Sequence, residues 1–139
     1  MKSDPSEASF HRQIIATSDA PAAIGPYSQA VLVQGGRTLY VSGQIPLDPQ
    51  TGAIVGDGDI AAHTERVLDN LAGVLRAAGM GFGDLVRCGI FLADLADFAV
   101  VNALYARRFA ADPPARATVQ VAGLPKNVLI EIDAIAVAP

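Results

Sequence analysis

The stretch Pro113-Pro-Ala-Arg-Ala-Thr-Val-Gln-Val-Ala-Gly-Leu-Pro-Lys-Asn-Val-Leu-Ile-Glu-Ile-Asp-Ala-Ile-Ala-Val137 constrains the fold more than any other part of the chain. Residues alternate in character on either side of Gly-Leu-Pro-Lys-Asn, the pattern of two strands joined by a turn-rich connection. On the first strand Ala117, Val119 and Val121 share one face and Arg116, Thr118 and Gln120 the other. On the second, Val128, Ile130, Ile132 and Ala134 share one face and Leu129, Glu131, Asp133 and Ile135 the other. The apolar rows require a core. The opposite rows hold one guanidinium and two carboxylates among apolar neighbours, and a charge in such surroundings is costly unless it is paired or bound. Arg116 and Glu131 are therefore the first candidates for chemistry, and the alternation predicts that both lie on the face of the sheet turned away from the core.

Size and composition narrow the class. A chain of 139 residues is large enough for one domain with a real core. It is 51% hydrophobic and only 17% charged, against a usual charged share of about 25%, so it is expected to bury surface twice, once inside and once against a partner chain. A net charge of −4 without a basic run argues against a nucleic-acid surface. The first residues, Met-Lys-Ser-Asp-Pro-Ser-Glu, lack an apolar signal core, and no apolar stretch is long enough to span a bilayer. The lone Cys88 excludes an internal disulfide, so the expected location is cytoplasmic. His11 and His63 are far apart and read as surface residues; no metal site is expected. Gly79-Met-Gly-Phe-Gly83 follows a helix instead of opening one, so it is no dinucleotide fingerprint, and no organic cofactor is expected.

In order, residues 1–12 read as a flexible N-terminal extension and 13–139 as a single domain. A short edge strand is expected over Arg12 to Ala16, then a proline-stiffened loop through Gly25-Pro-Tyr27. Ser28 to Val33 and Thr38 to Ser42 read as hairpin partners around Gly35-Gly36. A long turn-rich loop runs from Gly43 to Gly52. Asp59 is placed to cap a helix over 60–78, with an apolar stripe at Ala61, Thr64, Val67, Leu68, Leu71, Val74, Leu75 and Ala78 and a stop at Gly79. Leu85 to Leu92 reads as a central strand. A second helix, capped within Asp94 to Asp97, is expected over about 97–110 with Phe98, Val101, Tyr105 and Phe109 on one side. The order β-β-β-α-β-α-β-β predicts an α+β domain, two helices on one face of a six-stranded mixed sheet. The other face, left open, would be covered by further copies of the chain.

Each candidate residue has an ordinary reading beside the chemical one. Arg116 is either a surface arginine at a strand start or a planar fork for a small carboxylate. Glu131 is either a structural partner for an arginine or a base that orients water. Tyr27 is either packed on the sheet or a phenol at a site mouth, and Asn102 alone is an ordinary polar helix residue. Ser42-Gly43-Gln44-Ile-Pro46 allows a ligand close to the backbone, yet turn chemistry alone would also explain it. Cys88 reads as a small buried hydrophobe, not a nucleophile.

Ala22-Ala-Ile-Gly-Pro-Tyr-Ser-Gln29, Val41-Ser-Gly-Gln-Ile-Pro46, Leu68-Asp-Asn-Leu71, Asp94-Leu-Ala-Asp-Phe98, Val101-Asn-Ala-Leu-Tyr105, Pro114-Ala-Arg-Ala-Thr-Val119, Leu124-Pro-Lys126 and Ile130-Glu-Ile132 together resemble the RidA reactive-intermediate deaminases, in order and from about residue 14 to the C-terminus. The resemblance implies a chorismate-mutase-like fold with the last strand inside the sheet. It also implies a homotrimer with sheets facing inward and active sites at the subunit interfaces. Members of that family hydrolyse 2-imino acids to 2-oxo acids and ammonia without metal or cofactor. By the same resemblance Arg116 would grip the substrate carboxylate and Glu131 would position water. Tyr27, Asn102, Ser42, Gly43, Gln44 and Thr118 would line the pocket, Thr118 standing where several members carry cysteine. The expected activity is that of a 2-iminobutanoate/2-iminopropanoate deaminase. The competing expectation is a trimeric small-carboxylate-binding or holdase-like module without imine turnover.

Overall fold

Two periodicities, of two and of 3.6, divide the chain as expected, but they do not decide which strands meet. The structure, a computed structural model, describes residues 9–139. It contains six strands, β1 (His11–Ile15), β2 (Ala30–Gln34), β3 (Arg37–Gln44), β4 (Leu85–Leu92), β5 (Ala115–Gln120) and β6 (Ile130–Ala138), and two α-helices, α1 (Ile60–Ala77) and α2 (Phe98–Ala106). The expected flexible extension over residues 1–12 lies mostly outside the described residues, and β1 begins within it.

Helix α1 starts and stops on its own sequence signals. The Asp59 carboxylate accepts from the N–H groups of Ala61 and Ala62. At the other end Gly79, at φ 72°, lets its N–H reach the Arg76 carbonyl and lets the Met80 N–H reach that of Leu75. This paired closure satisfies carbonyls that a helix end otherwise leaves open. Helix α2 is shorter than its expected span. A 3₁₀ turn at Leu95–Asp97 precedes it, capped where Asp94 accepts from the Ala96 N–H. After Ala106 the chain tightens through bonds from Arg108 N–H to Tyr105 O and from Phe109 N–H to Ala106 O.

The six strands form two sheets, not one. β1 and β2 make an antiparallel pair, and the others form a four-stranded sheet in the order β3-β6-β4-β5. β6 runs antiparallel to both neighbours, while β4 and β5 are parallel and joined by the α2 crossover. The hairpin expected between β2 and β3 is absent, because β2 pairs with β1, Val31 lying opposite Ile14. Gly35 and Gly36 instead redirect the chain between sheets. Both have positive φ, and a side chain at Gly36 would strike the Ala138 carbonyl and the Phe10 ring. β5 and β6, adjacent in sequence, are separated by β4, and the last strand is interior.

Both helices contribute to a core over one face of the larger sheet, with Leu68, Leu71, Leu75, Val101 and Tyr105 against Ile90, Leu92, Ile130 and Ile132. His63 belongs to this buried side, contrary to its expected surface position. It is 2% exposed, and its Nδ1 accepts from the Leu129 N–H at 3.2 Å. The imidazole thus meets a backbone donor just before β6 through one nitrogen, while Nε2 is buried without a partner among the described residues. The opposite face of the sheet is uncovered by the described residues; Tyr40 is 76% and Val119 44% exposed. No described helix is long and apolar enough to cross a membrane.

Candidate active site

Strand register decides where the charged candidates point. Arg116 lies opposite Cys88, which lies opposite the buried Ala134, so the guanidinium stem starts on the helix side. Glu131 lies opposite Phe91, which lies opposite the exposed Val119, so its carboxylate starts on the open side. The expectation that both share the open face is overturned. Alternation correctly grouped the residues of β5, but the row with the charge is the one that faces the helices. β5 is an edge strand, where a long side chain can lie under the rim of α2 and keep its head near the surface.

The rim supplies what that side chain needs. Helix α2 presents Phe98, Asn102 and Tyr105 at spacings of four and three, one continuous face. Arg116 Nη1 donates to Asn102 Oδ1 at 2.8 Å. Its guanidinium carbon stands 5.2 Å from the Tyr105 ring centre, 5.3 Å from that of Tyr27 and 5.8 Å from that of Phe98. Three π-faces thus hold the cation in place. They open on a cleft of about 300 Å³ lined by Ile24, Gly25, Tyr27, Phe98, Asn102, Arg116 and Thr118. The hydroxyl oxygen of Thr118 is buried there without a hydrogen-bond partner among the described residues. Arg116 meets no carboxylate among those residues, whereas Arg108 is paired with both Glu65 and Asp69 at 2.8 and 2.9 Å. Burial, the largest influence on Arg116, lowers its pKa from the ordinary value. It still stays a cation at neutral pH. Asn102 occupies one of its five donors, leaving the others for an anion.

Cys88 bears out its ordinary reading: it is fully buried, and burial pushes its thiol up to about 11. A protonated, enclosed thiol is a poor nucleophile. Among the described residues no cluster of three metal-ligating side chains is present.

The remaining candidates lie elsewhere. Glu131 lies across the end of β3, where a side chain at Gly43 would run into its carboxylate. The β3–β6 register shifts between Val41 and Gln44, bringing Ser42 and Gly43 to a bulge. The side-chain amide of Gln44 donates to the Ser42 carbonyl at 3.2 Å. The structure therefore brings Arg116, Tyr27, Asn102 and Thr118 together in one cluster and Glu131 with Ser42 and Gly43 in another, the arginine and the glutamate starting on opposite faces of the same sheet; Gln44 joins neither, since it lies opposite the buried Ile132, on the helix side beside Asn70 of α1. The ring cage of Phe98 and Tyr105 was not singled out from sequence. Its signal is the 98, 102, 105 spacing, which reads first as an apolar core stripe.

A family model described as endoribonuclease L-PSP matches residues 17–138. The chain is 57% identical over 127 residues to protein DfrA of Myxococcus xanthus, covering 91% of this chain and 96% of that one. It is 52% identical over 129 residues to the 2-iminobutanoate/2-iminopropanoate deaminase of Rattus norvegicus, covering 93% and 92%. Among solved structures, RidA from the Antarctic bacterium Psychrobacter sp. PAMC 21119 is 43% identical, covers 91% of this chain and 99% of its own, and superposes with a TM-score of 0.70.

Proposed function

Because this chain belongs to the endoribonuclease L-PSP family, the RidA family, we propose that it hydrolyses reactive 2-imino acids such as 2-iminobutanoate and 2-iminopropanoate to 2-oxo acids and ammonia. The observation that carries this reading is Arg116. It is a half-buried cation with no acid among the described residues to meet it, fixed by one amide and three rings beside a cleft of about 300 Å³. Such a fork suits the carboxylate of a small acid.

The chemistry needs little more than placement. Arg116 holds the carboxylate, and the rings of Tyr27 and Phe98 limit where the adjoining C=N group lies. A water positioned by Glu131 adds its oxygen to the imine carbon, and a proton passes to nitrogen to give a carbinolamine. The hydroxyl proton then passes to nitrogen as the C–N bond breaks, so that ammonia leaves and the C=O bond forms. Positioning and a general base, each contributing about 10²- to 10⁴-fold, suffice for a bond that water already attacks unaided. Arg116 and Glu131 stand on opposite faces of one protomer, so a site that uses both takes the arginine cluster from one copy and the Ser42-Gly43-Glu131 cluster from the next. A ring of copies, a homotrimer in this reading, meets that requirement and covers the open sheet face.

The test supplies imine from a pyridoxal-phosphate dehydratase acting on threonine and follows its decay by semicarbazide trapping. The expected result is faster imine loss in proportion to added protein. Unchanged decay rejects the proposal.

A further inference from the structure

Ser28 and Gln29 lie within a motif that marks the family resemblance, yet neither has a part in the chemistry above. Ser28 is 7% exposed, and both of its donors are spent on one segment. Its hydroxyl donates to the Pro113 carbonyl at 2.5 Å and its N–H to the Pro114 carbonyl at 3.2 Å. Those are the two carbonyls that lead into Ala115 and Arg116 at the start of β5. The residue before Ser28 is Tyr27, whose ring lies 5.3 Å from the Arg116 guanidinium carbon. One residue thus ties the loop that carries a wall of the cleft to the strand that carries its cation. The acceptors are stiff, since both belong to prolines with fixed φ. Gln29 secures the other side of the loop. Its Oε1 accepts from the Thr17 N–H at 2.6 Å, and its Nε2 donates to the Pro21 carbonyl at 2.6 Å.

We infer that Ser28 is a positioning residue for carboxylate capture, its hydroxyl latching the Tyr27 loop to the Pro113-Pro114 lead-in so that ring and guanidinium keep their spacing. This rests on the reading of Arg116 as the carboxylate anchor. The hydroxyl contributes one of two latch bonds, and Gln29 holds the loop independently, so removing it loosens the spacing without releasing the loop.

The experiment compares Ser28→Ala and Ser28→Thr with the unaltered protein, using imine turnover and titration with 2-oxobutanoate followed by NMR at the Arg116 Nε–H. For Ser28→Ala the expected result is a rise of about fivefold in KM and in the 2-oxobutanoate Kd, the equivalent of roughly 1 kcal/mol, with kcat within about twofold. The Arg116 resonance, shifted by ring currents, should move in the free protein, and Ser28→Thr should restore both readings. A Ser28→Ala protein that loses thermal stability but keeps its KM, its Kd and its Arg116 resonance overturns the inference, and so does a loss that threonine leaves unrepaired. If Arg116→Ala binds 2-oxobutanoate as well as the unaltered protein, the anchor reading fails and takes the latch with it. With the anchor intact, failure of the Ser28 variants falls on the latch alone.

Discussion

Arg116 occupies a place where a charge is worth keeping only if something binds to it. Its desolvation is met by Asn102 and three rings, none of which carries a negative charge. Replacing it with alanine should therefore cost activity and leave stability intact or improved, because a half-buried cation that meets no carboxylate among the described residues is removed. The expected loss in kcat/KM is about 10²- to 10³-fold, the scale of a lost bidentate charge-assisted pair, and Arg116→Lys should recover little of it. Steady-state kinetics beside a thermal melt checks both halves. A holdase that merely offers apolar surface would be indifferent to the change. Cys88 makes a different demand. The folded state holds its thiol proton up to about 11 against an ordinary 9.0, so folded chains bind more protons than unfolded ones across that window. Stability must then fall as pH rises from about 9 to about 11, by roughly 2–3 kcal/mol in full. Burial raises the Tyr105 hydroxyl in the same sense. Urea midpoints at about pH 8 and about pH 10.5 test this. Cys88→Val should flatten the loss, and equal slopes in the two proteins would refute the assignment.

His63 joins α1 to the residue before β6 by one part-buried bond from the Leu129 N–H. Alanine there removes a ring that is 2% exposed and leaves that N–H without its acceptor. The expected cost is about 2–4 kcal/mol, from cavity and orphaned donor together. A change of under about 0.5 kcal/mol in denaturant unfolding would falsify the role. This residue also marks the boundary of what the sequence discloses. Helix α1, with Asp59 and Gly79 at its ends, was legible because helical period and capping are local. His63 was not, because its partner is 66 residues away. The same distance problem hid the strand pairings. β5 and β6 look like a hairpin until β4 is placed between them, and β2 looks like the partner of β3 until β1 claims it. Alternation showed that Arg116 and Thr118 share a face, yet not that this face meets α2. Phe98 and Tyr105 stayed hidden for a related reason: an aromatic stripe on a helix satisfies the core reading before any other.

At the scale of the whole molecule, two side-chain clusters lie apart on the sheet, and one sheet face is uncovered by the described residues. Tyr40 and Val119 are exposed on that face, and the Glu131 carboxylate lies over Gly43 at its end. Arg116 waits on the other side, under α2. If neighbouring copies complete the proposed site, sedimentation should return three chain masses, and two inactive variants should rescue each other. Arg116→Ala retains the glutamate cluster, and Glu131→Gln retains the arginine cluster. Each protein alone should be nearly inactive. Unfolded together in equal amounts and refolded, they should regain about a quarter of the unaltered activity, since about one interface in four then joins an intact Arg116 to an intact Glu131. Mixing the folded proteins without unfolding should give less, rising only as subunits exchange. A site contained in one chain would give no recovery under either protocol, because every chain would lack one of the two groups. Complementation therefore separates a composite site from a single-chain site even where both variants fold, assemble and bind as the unaltered protein does.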